Sequence, residues 1–100
     1  MQAPELPVDE AQRLQQLRAL NLLHTPAEER FDRLTRLARR LFNAPVALVS
    51  LLEEDHQWFK SAAGYTEQTA PRNTSFCGHA ILQDDVMVVE NALEDVRFHD

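Results

Sequence analysis

The sequence predicts an α/β (α+β) fold built round a central, mainly antiparallel sheet. Three observations carry this. Phe31, Leu34, Ala38 and Leu41 recur on one face of a helical repeat. Val46 to Leu52 is an almost unbroken apolar run of strand length. His56 to Ala63 alternates loosely behind the polar turn Glu53-Glu54-Asp55, which makes a hairpin of the two runs.

Taken in order, the first seven residues include Pro4 and Pro7 and are expected to be extended or disordered. Asp9 is placed to cap a helix running to about Asn21. Within it Ala11, Leu14, Leu17 and Leu20 recur every three residues, a stripe that drifts round the helix and serves both its own domain and a partner helix. Asn21 to His24 is a break. Thr25, Pro26 and Glu28 form a capping-box start for the second helix, which ends near Phe42-Asn43, ahead of Pro45. Arg33, Arg36, Arg39 and Arg40 lie off its apolar face, within a turn of Glu28, Glu29 and Asp32 in several cases, and read as a salt-bridged solvent face. Val46–Leu52 is expected to be a central strand buried on both faces. Gly64 to Asn73 reads as a long loop, and Ser75 as the cap of a short helix from Phe76 to Leu82. Asp84-Asp85 turns the chain into a third strand, Val86–Val89, and Ala92 to Asp100 is loop-like.

One hundred residues bound the chain to a single domain, and 44% apolar with 26% charged residues is ordinary for a soluble globular protein. Cys77 is the only cysteine, so no internal disulfide forms and a reducing cytoplasm is the expected setting. No apolar run approaches the ~20 residues of a membrane span, and the acidic start MQAPELPVDEAQ lacks a signal-peptide core. The net charge is −6, and residues 53–100 hold ten acidic groups against Lys60, Arg72 and Arg97. That balance argues against nucleic acid as a partner, which requires a basic footprint.

No catalytic constellation stands out. Cys77 and His79 are two apart in a helical stretch, so their side chains diverge and a thiolate–imidazole dyad is poorly placed. Joined with His56 or His99 they lack paired metal-ligand spacing, and no metal site is expected. Gly64 and Gly78 are the only glycines, which excludes a glycine-rich phosphate loop. The acidic pairs Glu53-Glu54 and Asp84-Asp85 sit where turns are needed. Trp58 and Phe59 face opposite sides of their strand, so one packs on the helices and the other faces the segment 64–82. Trp58, Phe59, Phe76, Cys77 and His79 are therefore the candidates for lining a small-molecule pocket.

The succession of an ERFDRLTRLARRLF helix, the APVALVSLL strand, a strand carrying Trp58-Phe59-Lys60 and the turn Ser75-Phe76-Cys77-Gly78-His79 resembles the first half of a GAF domain. Such domains stand at the input end of bacterial diguanylate cyclases and sensor histidine kinases. The resemblance covers residues 25–100, leaving 1–24 as a linker and dimerisation segment. It implies the N-terminal helices on one face of the sheet, the 64–82 segment on the other, and a ligand between sheet and segment. It also implies about twice the strands present here, so the sheet is truncated, or is completed by another copy. The implied function is a cytoplasmic, non-enzymatic sensor module that binds an unidentified small molecule and regulates an attached cyclase or kinase. The alternative is a degenerate GAF module acting as a dimerisation element. Bilin-binding relatives usually place His or Leu directly after the attachment cysteine; here Gly78 follows Cys77, so neither bilin nor haem is expected. A methionine-sulfoxide reductase-like activity needs several cysteines, against one present. A homodimer is expected through Leu14, Leu17 and Leu20.

Overall fold

The computed structural model describes residues 1–99. Its elements, in order, are α1 (Glu10–Ala19), α2 (Glu29–Phe42), β1 (Ala47–Leu52), β2 (His56–Ala63), β3 (Thr69–Pro71) and α3 (Phe76–Ala80). The strands form one antiparallel sheet in the order β1-β2-β3. α2 packs across β1 and β2, and α3 touches β1. The expected α+β architecture is present, built on the β1–β2 hairpin. Its two-residue turn, Glu54-Asp55, is closed by Glu53 N–H donating to the His56 carbonyl at 2.8 Å.

α2 ends where the sequence places its end. Asn43 takes the left-handed conformation (φ 49°), and Ala44 N–H returns to Arg39 O at 3.0 Å. Its start differs from expectation. The helix begins at Glu29, and no side chain caps it. Thr25 is occupied elsewhere: its hydroxyl donates to Leu22 O and accepts from Lys60 Nζ. A tertiary contact with a buried ammonium has displaced the local capping box.

β2, not β1, is the centre of the sheet. β1 has an open edge among the described residues, and most of its side chains are only half-buried. β3 lies inside the stretch read as a long loop. It is three residues long and ends on Pro71, which an edge strand tolerates because the N–H that proline lacks is not needed on the unpaired side. Val86–Val89 forms no strand; Val86 is 88% exposed, and no neighbour offers it a ladder. The α2 face is also rotated from expectation. Thr35 is its buried residue, whereas Leu34 and Leu41 are exposed. The first seven residues take no regular structure but are tied down. Gln2 N–H donates to Arg97 O at 2.8 Å, and the Gln2 carbonyl accepts from His79 Nε2 at 2.9 Å.

The register of β1 and β2 slips once, pairing Ser50 with Phe59 and Val49 with Ser61. Lys60 is the extra residue of a β-bulge, which breaks the alternation of side chains. Both Lys60 and Ser61 consequently meet the 25–35 segment, where a regular strand would send one away.

The buried apolar set is small: Leu14, Leu52, Trp58, Phe59 and Phe98. The radius of gyration, 14.0 Å, exceeds the about 13 Å of a close-packed chain of this length. Polar groups fill the gap, and they position the candidate site.

Candidate ligand cleft and its ionic supports

Arg72 follows β3 directly and is 2% exposed. Its Nη1 donates to Glu10 Oε2 at 2.6 Å and its Nη2 to Glu10 Oε1 at 3.1 Å, a two-pronged pair. Nη1 also reaches the carbonyls of Glu53 at 3.0 Å and Glu54 at 3.4 Å. Arg13 grips the same carboxylate through Nε at 2.8 Å and Nη2 at 3.1 Å, and donates from Nη1 to Leu52 O. α1 is thereby fastened to the β1–β2 turn and to the β3–α3 connection.

Hydrogen bonds from Arg13, then from Arg72, hold the Glu10 pKa down from 4.5 to about 2. A carboxyl depressed in the folded state stabilises fully above its unfolded pKa. This contribution is lost as pH falls from 4.5 towards about 2. The stability difference between wild type and Glu10→Gln is expected to shrink steadily on acidification from about pH 6 to about pH 2.5 in denaturant titrations. A constant difference would remove Glu10 from the account.

Lys60 is the second buried ion, its side chain wholly covered. Nζ donates to Thr25 Oγ1 at 2.7 Å and Pro26 O at 2.6 Å, and pairs with Glu28 Oε2 at 2.7 Å. Three acceptors match its three N–H donors. Lys60 and then Arg30 hold the Glu28 carboxyl below the usual range. Lys60→Met is expected to cost about 1–3 kcal/mol, the desolvation penalty of the abandoned acceptors, in a denaturant titration. Glu28, partly exposed, rehydrates and limits the loss.

Between α2, β2 and the loop 64–68 lies a cleft of about 550 Å³. Phe59 and Tyr65 meet edge to face on its wall, with ring centroids 5.5 Å apart. A polar seam joins α2 to β2 in the lining. Ser61 Oγ donates to Asp32 Oδ1 at 2.6 Å, and Thr35 Oγ1 lies 2.9 Å from Ser61 Oγ and 3.0 Å from Asp32 O. Gly64 ends β2 with φ +78°; a Cβ there would sit 2.0 Å from the Pro45 carbonyl, so the turn into the 64–68 loop requires glycine. Aromatic walls with a few fixed hydroxyl and carboxylate groups suit a small polar ligand.

The five residues singled out for a pocket are not brought together. Phe59 lines this cleft. Trp58 packs instead on His24, in the α1–α2 connection, at 5.4 Å. Phe76 and His79 both pack on Phe98, tilted and edge-on respectively, with ring centroids 4.4 Å and 4.9 Å away. Cys77 is half-buried in α3. Gly78 is required by close packing: a Cβ there would lie 2.6 Å from the Pro4 ring. Of the leucine stripe, Leu14 is buried in its own chain, Leu17 is half-buried, and Leu20 is 59% exposed. Leu17 and Leu20 edge a separate hollow of about 440 Å³ against Leu51 and Ile81.

Sequence reasoning missed Glu10, Arg13, Arg72 and Lys60 as a set. Glu10 and Arg13 form an i,i+3 helix pair, but Arg72 is 62 positions from Glu10 and no spacing ties it to them. A lone lysine directly after Trp58-Phe59 was the one available signal for a buried ion.

Residues 26–100 match the GAF domain family model. The chain is 38% identical over its 100 residues to a cyclic di-GMP phosphodiesterase of Pseudomonas aeruginosa, and it spans 17% of that relative's length. The matched region contains α2, all three strands and α3. An antiparallel hairpin backed by α2, in a chain matched by the family model over most of its length, makes this protein a member of the GAF domain family.

Proposed function

We propose that this chain is a regulatory module that senses a small molecule in the cleft between α2, β2 and the 64–68 loop. The Phe59–Tyr65 wall beside the Asp32–Ser61–Thr35 seam is the observation that supports a ligand there. The signal passes to an output domain acting on cyclic di-GMP. Likeness to a cyclic di-GMP phosphodiesterase favours such an output over a histidine kinase. The module works in the cytoplasm, and among the described residues no helix is long and apolar enough to cross a membrane. It carries neither bilin nor haem, and a visible absorption band in protein from cells making both would overturn that. The central test measures melting temperature and cyclic di-GMP turnover of the intact protein against cyclic nucleotides and small metabolites. At least one compound is expected to shift both in wild type and neither in Tyr65→Ala. A panel without effect on wild type would sink the sensor reading.

Self-association accompanies this function, and one observation favours it as a second reading. Leu34, Leu37, Leu41 and Phe42 stand exposed on α2, and Leu20 at the C-cap of α1. Leu20→Glu should leave the fold intact, since that side chain is already in solvent, and should turn a homodimer into monomers by light scattering. Wild type that is monomeric at high micromolar concentration would exclude the dimer. Leu14 is unsuited to such a test, because it is buried and its substitution strikes the core.

A further inference from the structure

His24, Glu53 and His56 form a cluster apart from the cleft. Glu53 Oε2 lies 3.1 Å from His24 Nε2 and 2.5 Å from His56 Nε2, and the three ligand atoms all lie within 4.8 Å of one another. We propose that these three side chains bind a zinc-class divalent cation, which clips the α1–α2 connection to the β1–β2 turn.

Two imidazoles and one carboxylate are a ligand set for such an ion, with water as the fourth ligand. Bonds of about 2.0–2.1 Å in a tetrahedron place ligand atoms about 3.3 Å apart. The His24–Glu53 separation already matches. The His56–Glu53 contact opens by roughly 1 Å as the ion replaces the proton shared there, which leaves to solvent.

The positions are built rather than incidental. Glu53 and His56 bracket the tight β1–β2 turn, closed by the Glu53 N–H to His56 carbonyl bond, and the Glu53 carbonyl is held by buried Arg72. His56 Nδ1 lies 2.8 Å from Asp55 Oδ1. A carboxylate on the far ring nitrogen fixes the tautomer that offers Nε2 to a metal, the usual outer support of a ligating histidine. His24 comes from outside the sheet, on a left-handed residue (φ 57°), with its ring against Trp58. Its side chain is more than half exposed, so an ion has a path in. None of these residues lines the cleft assigned to the small molecule, so the clip stands or falls independently of that assignment.

The test titrates the intact protein with Co²⁺ and then Zn²⁺. One equivalent of Co²⁺ is expected to quench Trp58, the chain's single tryptophan, and Zn²⁺ to reverse the quenching. Asp55→Asn should weaken Zn²⁺ binding about 10–100-fold by calorimetry, and His24→Gln and His56→Gln at least as much. His24→Gln changes an exposed side chain, so its circular dichroism and melting temperature should match wild type without metal. If His56→Gln fails to fold, His24→Gln alone decides. Absence of stoichiometric binding, affinity unchanged in His24→Gln, or loss of binding through Cys77→Ser or His79→Gln instead would each overturn the proposal.

Discussion

Arg72→Ala is expected to remove about 3–5 kcal/mol of stability, the cost of breaking a buried ion pair from one side. Its guanidinium is 2% exposed and supplies four of the hydrogen bonds holding α1, the β1–β2 turn and the β3–α3 connection together. Truncation leaves the Glu53 and Glu54 carbonyls without this donor. It also leaves Glu10 with Arg13 alone. Lysine is not equivalent, because a point charge cannot satisfy both carboxylate oxygens and two carbonyls in the fixed geometry of the fork. Against a whole-domain stability of about 5–15 kcal/mol, the alanine variant stands near the edge of folding. Urea titration followed by Trp58 emission checks this, and a midpoint shift equivalent to less than about 1 kcal/mol would refute it. Glu10→Gln in the same background separates the pair from the carbonyl contacts. If the Arg72–Glu10 pair dominates, the double variant should be little worse than Arg72→Ala alone.

Trp58→Ala should cost a comparable amount, about 3–5 kcal/mol, by leaving a cavity in a thin core. Trp58 is 3% exposed on the central strand, and only four other apolar side chains are buried among the described residues. Few neighbours are available to collapse into the space, so the loss should lie towards the upper end of that range. Trp58→Phe should recover most of it, since an aromatic ring still backs His24. Far-ultraviolet circular dichroism during urea titration is the measurement. A Trp58→Ala loss below about 1.5 kcal/mol would show that the core relaxes freely there.

The two substitutions differ in how legible their sites were. Trp58 shows itself as an aromatic of the second strand, although the sequence named it for a pocket wall and the structure buries it in the core beside His24. Arg72 does not. It stands in the polar stretch PRNTS, which composition assigns to loop, and nothing local marks it as buried. Ser75 was legible for the opposite reason, because a cap is a local device. Its hydroxyl accepts from Gly78 N–H at 2.9 Å, as a serine three residues ahead of that amide should. Thr25 looked equally local, yet the ammonium of Lys60, 35 positions away, took its hydroxyl. Phe59, a pocket candidate from the sequence, lies on the cleft wall; Tyr65 and the Asp32–Ser61–Thr35 seam were not foreseen, because they meet only where a bulge turns β2 towards α2.

By itself the sequence determined the second helix and its stop at Asn43 (though not its start at Glu29), the β1–β2 hairpin, the Ser75 cap of α3 and the resemblance to the family. The elements rest on periodicity, turn residues or caps acting within a few positions of one another, and the family on the resemblance of their succession. Tertiary structure alone decided that β2 is the central strand, that Thr69–Pro71 and not Val86–Val89 supplies the third, and that Thr35 rather than Leu34 faces the sheet. It also decided which charges are buried. A strand needs a partner's backbone to become one, and an ion enters the interior only where distant chain supplies its counter-charge and acceptors. The acceptors and counter-charges of Arg72 and Lys60 lie 18 to 62 residues away, beyond the reach of any local pattern.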